Sequence, residues 1–234
     1  IAKWNITFNE NQMKAANVFG DSKINAKDGV RLSQILSGYE LIQDEGVSLF
    51  STNEVNLALD NLQASAGDYI SIPVTITDNE GIAGFNFRLD YDKDYLTPVA
   101  ITKGDILVDG SFTSNLTEET DGSELDYITA YWNCAYNMTE DGELFVVDFM
   151  VSGDVEVGQK LPIQLSYENG GLCDNRLNDV TGITTQGEIE VVESDNNVSD
   201  EDLLDGYYIK NTTLTSSNGT VLSSIPQKGD FDTN

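Results

Sequence analysis

Histidine is absent from this chain of 234 residues. That excludes Ser-His-Asp and Cys-His nucleophile systems and every metal site built on imidazole. Basic residues are scarce, 12 against 40 acidic ones, for a formal charge of −28. Phosphate-rich partners need a basic footprint, so nucleic acid and anionic membranes are excluded as partners. No uninterrupted apolar run reaches the roughly 18 residues of a membrane-spanning helix. Cysteine is limited to Cys134 and Cys173, far apart in sequence. The two either pair or serve as small buried side chains, and the second reading is preferred.

What is present suffices for a sizeable core, with 39% hydrophobic and 9% aromatic residues. The acidity either keeps the chain soluble or provides oxygen ligands for a hard cation such as calcium. The chain opens at Ile1 and stops at "KGDFDTN" (228–234), and is read as a piece of a longer secreted protein.

Periodicity divides it. Residues 13–42 read as helical around a polar loop, with Val30, Leu32, Ile35 and Leu36 at helical spacing and Gly38 as the stop. Residues 43–54 read as a linker. Period two takes over from 55 to 193, with strands expected at 55–62, 68–78, 82–91, 95–101, 105–108, 111–118, 124–133, 143–151, 160–167 and 187–192. Pro73 lacks a ladder donor, so its strand lies at an edge or carries a bulge there. Strand 143–151 is apolar on both faces. It is either central and covered, the preferred reading, or it exposes a patch of Leu144, Val146 and Met150. Many alternating strands without helices between them indicate two packed antiparallel sheets or a closed barrel. Residues 194–226 read as a polar extension with one short helix in "SDEDLLDGY" (199–207), capped by Ser199.

Three motifs carry candidate chemistry. In "NVFGDSKINAKD" (17–28), Asn17, Asp21, Lys23 (through its carbonyl), Asn25 and Asp28 fall at positions 1, 5, 7, 9 and 12 of a calcium loop. Phe19 and Ser22 replace the ligand and the glycine of positions 3 and 6, so calcium should bind weakly or not at all. The loop and the helix after it resemble one half of a dockerin, in which Ala26 and Lys27 match the pair that commonly reads the partner. At the other end, Asp230, Asp232 and Asn234 resemble the first positions of a second, truncated loop. Dockerin-like ends imply a separate cohesin as their target.

The β zone resembles a cohesin domain. "GIAGFNFRLDYDKDYL" (81–96), "ITKGDILVDGSF", "MTEDGELFVVDFMV", "PIQLSYENGGLCDNRLNDV" and "GEIEVV" follow one another in the family's order. The resemblance implies a mainly β fold, a nine-stranded jelly-roll β-sandwich, here with a short N-terminal helical dockerin-like half-module. The organisation expected is therefore 1–42 partial dockerin, 43–54 linker, 55–193 sandwich, 194–226 extension and 227–234 the start of a second loop. It also implies a non-catalytic scaffold module, bacterial and secreted or cell-surface, that binds a dockerin on another protein. In the family pattern the outward face of the strand beginning at "GIAGF" belongs to the dockerin-binding sheet. Alternation places Gly84, Asn86, Arg88 and Asp90 there. Strand 124–133 should share that sheet, with Tyr127, Thr129 and Tyr131 outward and Trp132 inward, or the reverse. The first is preferred, because tyrosines suit interface cores. The rival readings are a carbohydrate-binding sandwich, which needs a planar row of exposed aromatics, and a structural or adhesive spacer. Acidic pairs such as Asp90 with Asp92 or Glu118 with Glu119 lack any implied cleft, so catalysis is not expected.

Overall fold

The chain is described by a computed structural model over residues 9–39, 54–116, 125–194, 207–210, 213–216 and 221–222. Helix α1 (Glu10–Ala16) starts at Asn9, whose side chain accepts from the Gln12 amide while Gln12 accepts from the Asn9 amide. This reciprocal capping box satisfies two donors that a helix start leaves unpaired. Helix α2 (Ala26–Ser37) repeats the device with Asn25 and Asp28. It stops at Gly38, as expected, because Gly38 takes the left-handed conformation, φ 68°, that side chains resist.

The sandwich strands are β1 (Glu54–Leu59), β2 (Leu62–Ala64), β3 (Tyr69–Thr77), β4 (Ile82–Asp92), β5 (Leu96–Lys103), β6 (Ser111–Asn115), β7 (Leu125–Met138), β8 (Gly142–Val151), β9 (Lys160–Ser166), β10 (Leu172–Cys173), β11 (Thr181–Thr185) and β12 (Gly187–Val191). One sheet runs β11-β1-β3-β8-β5 and the other β2-β12-β9-β4-β7-β6, with β10 against β4. The β1–β11 and β2–β12 pairs are parallel; the rest are antiparallel. β1 and β2 are one run that changes sheet at Asp60 and Asn61, and β11 and β12 change sheet at Gln186. The two sheets form the mainly β sandwich expected, in twelve described segments.

Period-two alternation builds the core. Phe85, Phe87, Leu89 and Tyr91 of β4 and Ile128, Ala130 and Trp132 of β7 face Ile72, Val74 and Ile76 of β3 and Phe145, Val147 and Phe149 of β8. The Trp132 indole donates to the Asp109 carbonyl at 2.9 Å, so its one polar atom is paired inside an apolar layer. Leu161, Ile163 and Leu165 of β9 point inward as the sequence predicts.

Several expectations need correction. Residues 105–108 form no strand: the Leu107 amide donates to Gly104 in a turn, Leu107 enters the core and Val108 is exposed. A Cβ on Gly104 would lie 1.8 Å from the Glu143 carbonyl, so only glycine admits this crossing. Pro73 sits in an interior strand, yet β1 pairs with β3 only from Val74 onward, and a register shift follows at Val74/Thr75. That shift is the bulge expected as the alternative to an edge position. β8 is central, but its second face is not covered throughout: Leu144 is buried, Val146 half-buried and Met150 exposed.

Residues 193–234 make a second compact unit. Its described residues hold an antiparallel sheet of β13 (Tyr207–Lys210), β14 (Thr213–Ser216) and β15 (Val221–Leu222) where only a polar extension was expected. The helix expected at 199–207 lies outside the described residues apart from Tyr207, which begins β13. Asp230, Asp232 and Asn234 also lie outside them.

Candidate partner-binding site

The outward face of β4 and β7 gathers the predicted residues. Asn86, Arg88 and Asp90 alternate with the buried aromatics, and register sets them opposite Tyr131, Thr129 and Tyr127. Ile128, Ala130 and Trp132 point inward, which settles the facing of β7 in the preferred sense. Arg88 organises the face. Its Nε and Nη2 donate to Asp90 Oδ1 at 2.8 and 2.5 Å, and its guanidinium lies 3.7 Å from the centroid of the Tyr127 ring. A planar cation held against both a carboxylate and a ring face is a pre-organised contact that lysine could not reproduce. The Tyr127 face is thereby occupied and not offered to a sugar ring. An open cavity of about 550 Å³ lies over these residues, with Lys23, Ile24 and Asn25 on its rim.

Gly84 is covered, and what covers it is α2. A Cβ on Gly84 would fall 2.7 Å from Val30 Cγ2, and one on Gly29 would fall 3.0 Å from Asn133 Nδ2. Glycine on both partners is what lets helix and sheet approach this closely. Ala26, Val30, Ala83, Cys173 and Leu177 form a separate small apolar cluster between them. Polar contacts surround it. Ser33 Oγ donates to Asn133 Oδ1 at 2.6 Å, Gln34 Nε2 to the Asn175 carbonyl at 2.6 Å, and Asn175 Nδ2 to the Tyr39 hydroxyl at 3.0 Å. Lys27 pairs with Asp179 at 3.0 Å, and Lys23 with Glu168 at 2.8 Å. The exposed Lys23–Glu168 bond raises the lysine pKa and lowers that of the glutamate. The loop and α2 therefore meet this chain's own sheet.

Sequence reasoning missed this contact. The buried row of α2 is Ala26, Val30 and Gln34, while Leu32, Ile35 and Leu36 are 45%, 54% and 78% exposed. The available signal was the i, i+4 spacing of Ala26, Val30 and Gln34, with Gly29 beside Val30; of the apolar residues at helical spacing only Val30 lies on that row, while Leu32, Ile35 and Leu36 mark the opposite side.

The loop falls short of calcium, which takes six to eight oxygen ligands, because Phe19 offers none at position 3. Asp28 is buried, and its two oxygens accept the Phe19 and Asn25 amides at 2.9 Å each. Asp21 Oδ1 accepts the Lys23 amide at 2.8 Å, while Asn17 accepts the Gly20 amide and turns its own amide nitrogen to the Asp21 carbonyl. Asn25 is committed to capping α2. Backbone donors thus already hold the loop's shape through one lone pair on each of these oxygens. Among the described residues no cluster of three acidic or cysteine side chains could hold a metal.

Both cysteines are buried and unpaired. Cys173 lies beneath α2, and burial pushes its thiol up to about 12, with Lys27 near enough to pull it partly back.

The family model for the cohesin domain matches residues 55–191, more than half of the chain. The chain belongs to the cohesin domain family. Over 153 residues it is 29% identical to a cellulosome-anchoring protein of Acetivibrio thermocellus, covering 63% of this chain and 34% of that protein, so it spans about a third of that relative. The seventh ScaB type I cohesin from Pseudobacteroides cellulosolvens superposes with a TM-score of 0.54 at 19% identity, over 63% of this chain and 97% of that one. A cohesin in a type I cohesin–dockerin complex from Clostridium thermocellum superposes with a TM-score of 0.51 at 24% identity, over 60% and 100% of the two chains. The matched cohesin region begins at β1, so α1, the loop and α2 are additions outside it.

Proposed function

We propose that this cohesin binds a dockerin on another polypeptide through the β4–β7 face, as a non-catalytic module of an extracellular or cell-surface bacterial assembly that degrades polysaccharide. One observation carries the reading: the loop before α2 lines the cavity over Asn86, Arg88, Asp90, Tyr127 and Tyr131, and α2 itself covers Gly84 at the end of the same face. The sheet is rigid, so ordering costs on binding are low. Its aromatic and arginine content suits the centre of an interface. A row of exposed aromatics for sugar binding is not favoured, because Arg88 occupies the Tyr127 ring.

Calorimetric titration of the full chain against a panel of calcium-loaded dockerins tests this. The expected result is saturable one-to-one binding that chelation abolishes, with the melting temperature of this chain alone unchanged by the chelator. The first follows because calcium shapes the dockerin; the second follows because this chain's own loop is closed by backbone donors. Silence across a broad panel would contradict the function, and a large melting shift on chelation would contradict the reading of the loop.

A further inference from the structure

We propose that α2 is a built-in occupant of the partner site, so that α2 in cis and a partner helix in trans compete for Gly84 and its surroundings. The inference rests on the dockerin-binding reading of the same face. Sterically, the approach over Gly84 admits one helix: Val30 already stands within contact of its Cα, and Ala26 lies alongside. Ala26 and Lys27, the positions that resemble a dockerin's recognition pair, are spent on this chain's own sheet and on Asp179.

The contact is also built to be displaced. Of its own apolar side chains α2 seats only Ala26 and Val30 against the sheet and leaves Leu32, Ile35 and Leu36 outside, so few apolar groups are given up on release. α2 and the sheet belong to one chain, which keeps α2 at high effective concentration. A trans partner's apparent affinity is then reduced by the fraction of chains whose site is free.

The two cysteines make the test direct. Cys173 belongs to the cluster under α2, whereas Cys134 belongs to the main core. Local release of α2 exposes the first alone; global unfolding exposes both. Maleimide labelling of the full chain, resolved by peptide mapping, is expected to be slow at both cysteines. Val30→Asp places a charge against Gly84 and is expected to speed Cys173 labelling at least tenfold while leaving Cys134 unchanged. The same variant is expected to bind calcium-loaded dockerin at least tenfold more tightly than the parent chain. Should both cysteines become reactive together, Lys27→Glu, which repels Asp179 without touching the apolar cluster, is compared in the same way. Unchanged Cys173 labelling in both variants overturns the seating of α2. Freed Cys173 with unchanged dockerin affinity overturns the competition. Freed Cys173 with no dockerin bound by any chain overturns the function on which the competition rests, while the seating stands.

Discussion

A Trp132→Ala chain is expected to lose about 3–5 kcal/mol of stability, the cost usual for truncating a large buried aromatic. Trp132 is among the largest fully buried side chains, and it sits 5.9 Å from the Phe85 ring in the layer between the sheets. Phe85 in turn stacks on Phe87 at 4.6 Å and lies 6.0 Å from Phe145 of the opposite sheet. Removing the indole opens a cavity that these rigid rings cannot collapse into, and it strips the Asp109 carbonyl of its donor. Urea unfolding should show a lower midpoint at an unchanged slope. A loss below about 1 kcal/mol would mean that the two sheets are not held together at this layer. The effect reaches the partner site, because Tyr131 and Asn133 flank Trp132 on the strand that presents them.

The second large effect falls on affinity. Arg88→Ala is expected to weaken dockerin binding about 30-fold or more, in the range of an interface hot spot. Without the guanidinium, Asp90 becomes an uncompensated carboxylate at the centre of the face, and Tyr127 loses the group that fixes its ring. Stability should fall as well, since the Asp90 side chain is only 15% exposed and loses its partner, so binding is compared below the melting range of the variant. Arg88→Lys should recover little of the loss, because an ammonium has neither the fork nor the plane of the guanidinium. Calorimetry on the three chains checks this; full rescue by lysine would show that charge alone, and not the stacked geometry, is recognised.

The contrast between what the sequence discloses and what it hides has a physical basis. Strands such as 82–91 and 160–167 are legible because burial of one face imposes period two on adjacent residues. The α2 stop is legible because left-handed backbone at Gly38 has a strong residue preference. The turn at 105–108 was misread because "DILV" has strand-like side chains, while the deciding contact, Gly104 against Glu143, is with a residue 39 positions away. β10 is too short, and β11 ("TGITT") too weakly patterned, to announce itself; each exists through its partner strand. The same limit hid the seating of α2. Ser33 meets Asn133 and Gln34 meets Asn175, pairs that no local pattern links. The candidate face itself was readable, because alternation alone assigns Asn86, Arg88 and Asp90 to one side. That Gly84 lies under the chain's own helix was not.

Hydrogen exchange of the full chain, with and without saturating calcium-loaded dockerin, tests most directly where the partner sits. The account predicts slower exchange along the outward strands, at residues 84–90 of β4 and 127–131 of β7, together with faster exchange through α2 as it yields its place. Protection confined to the β11-β1-β3-β8-β5 sheet, with β4, β7 and α2 unaltered, would contradict it.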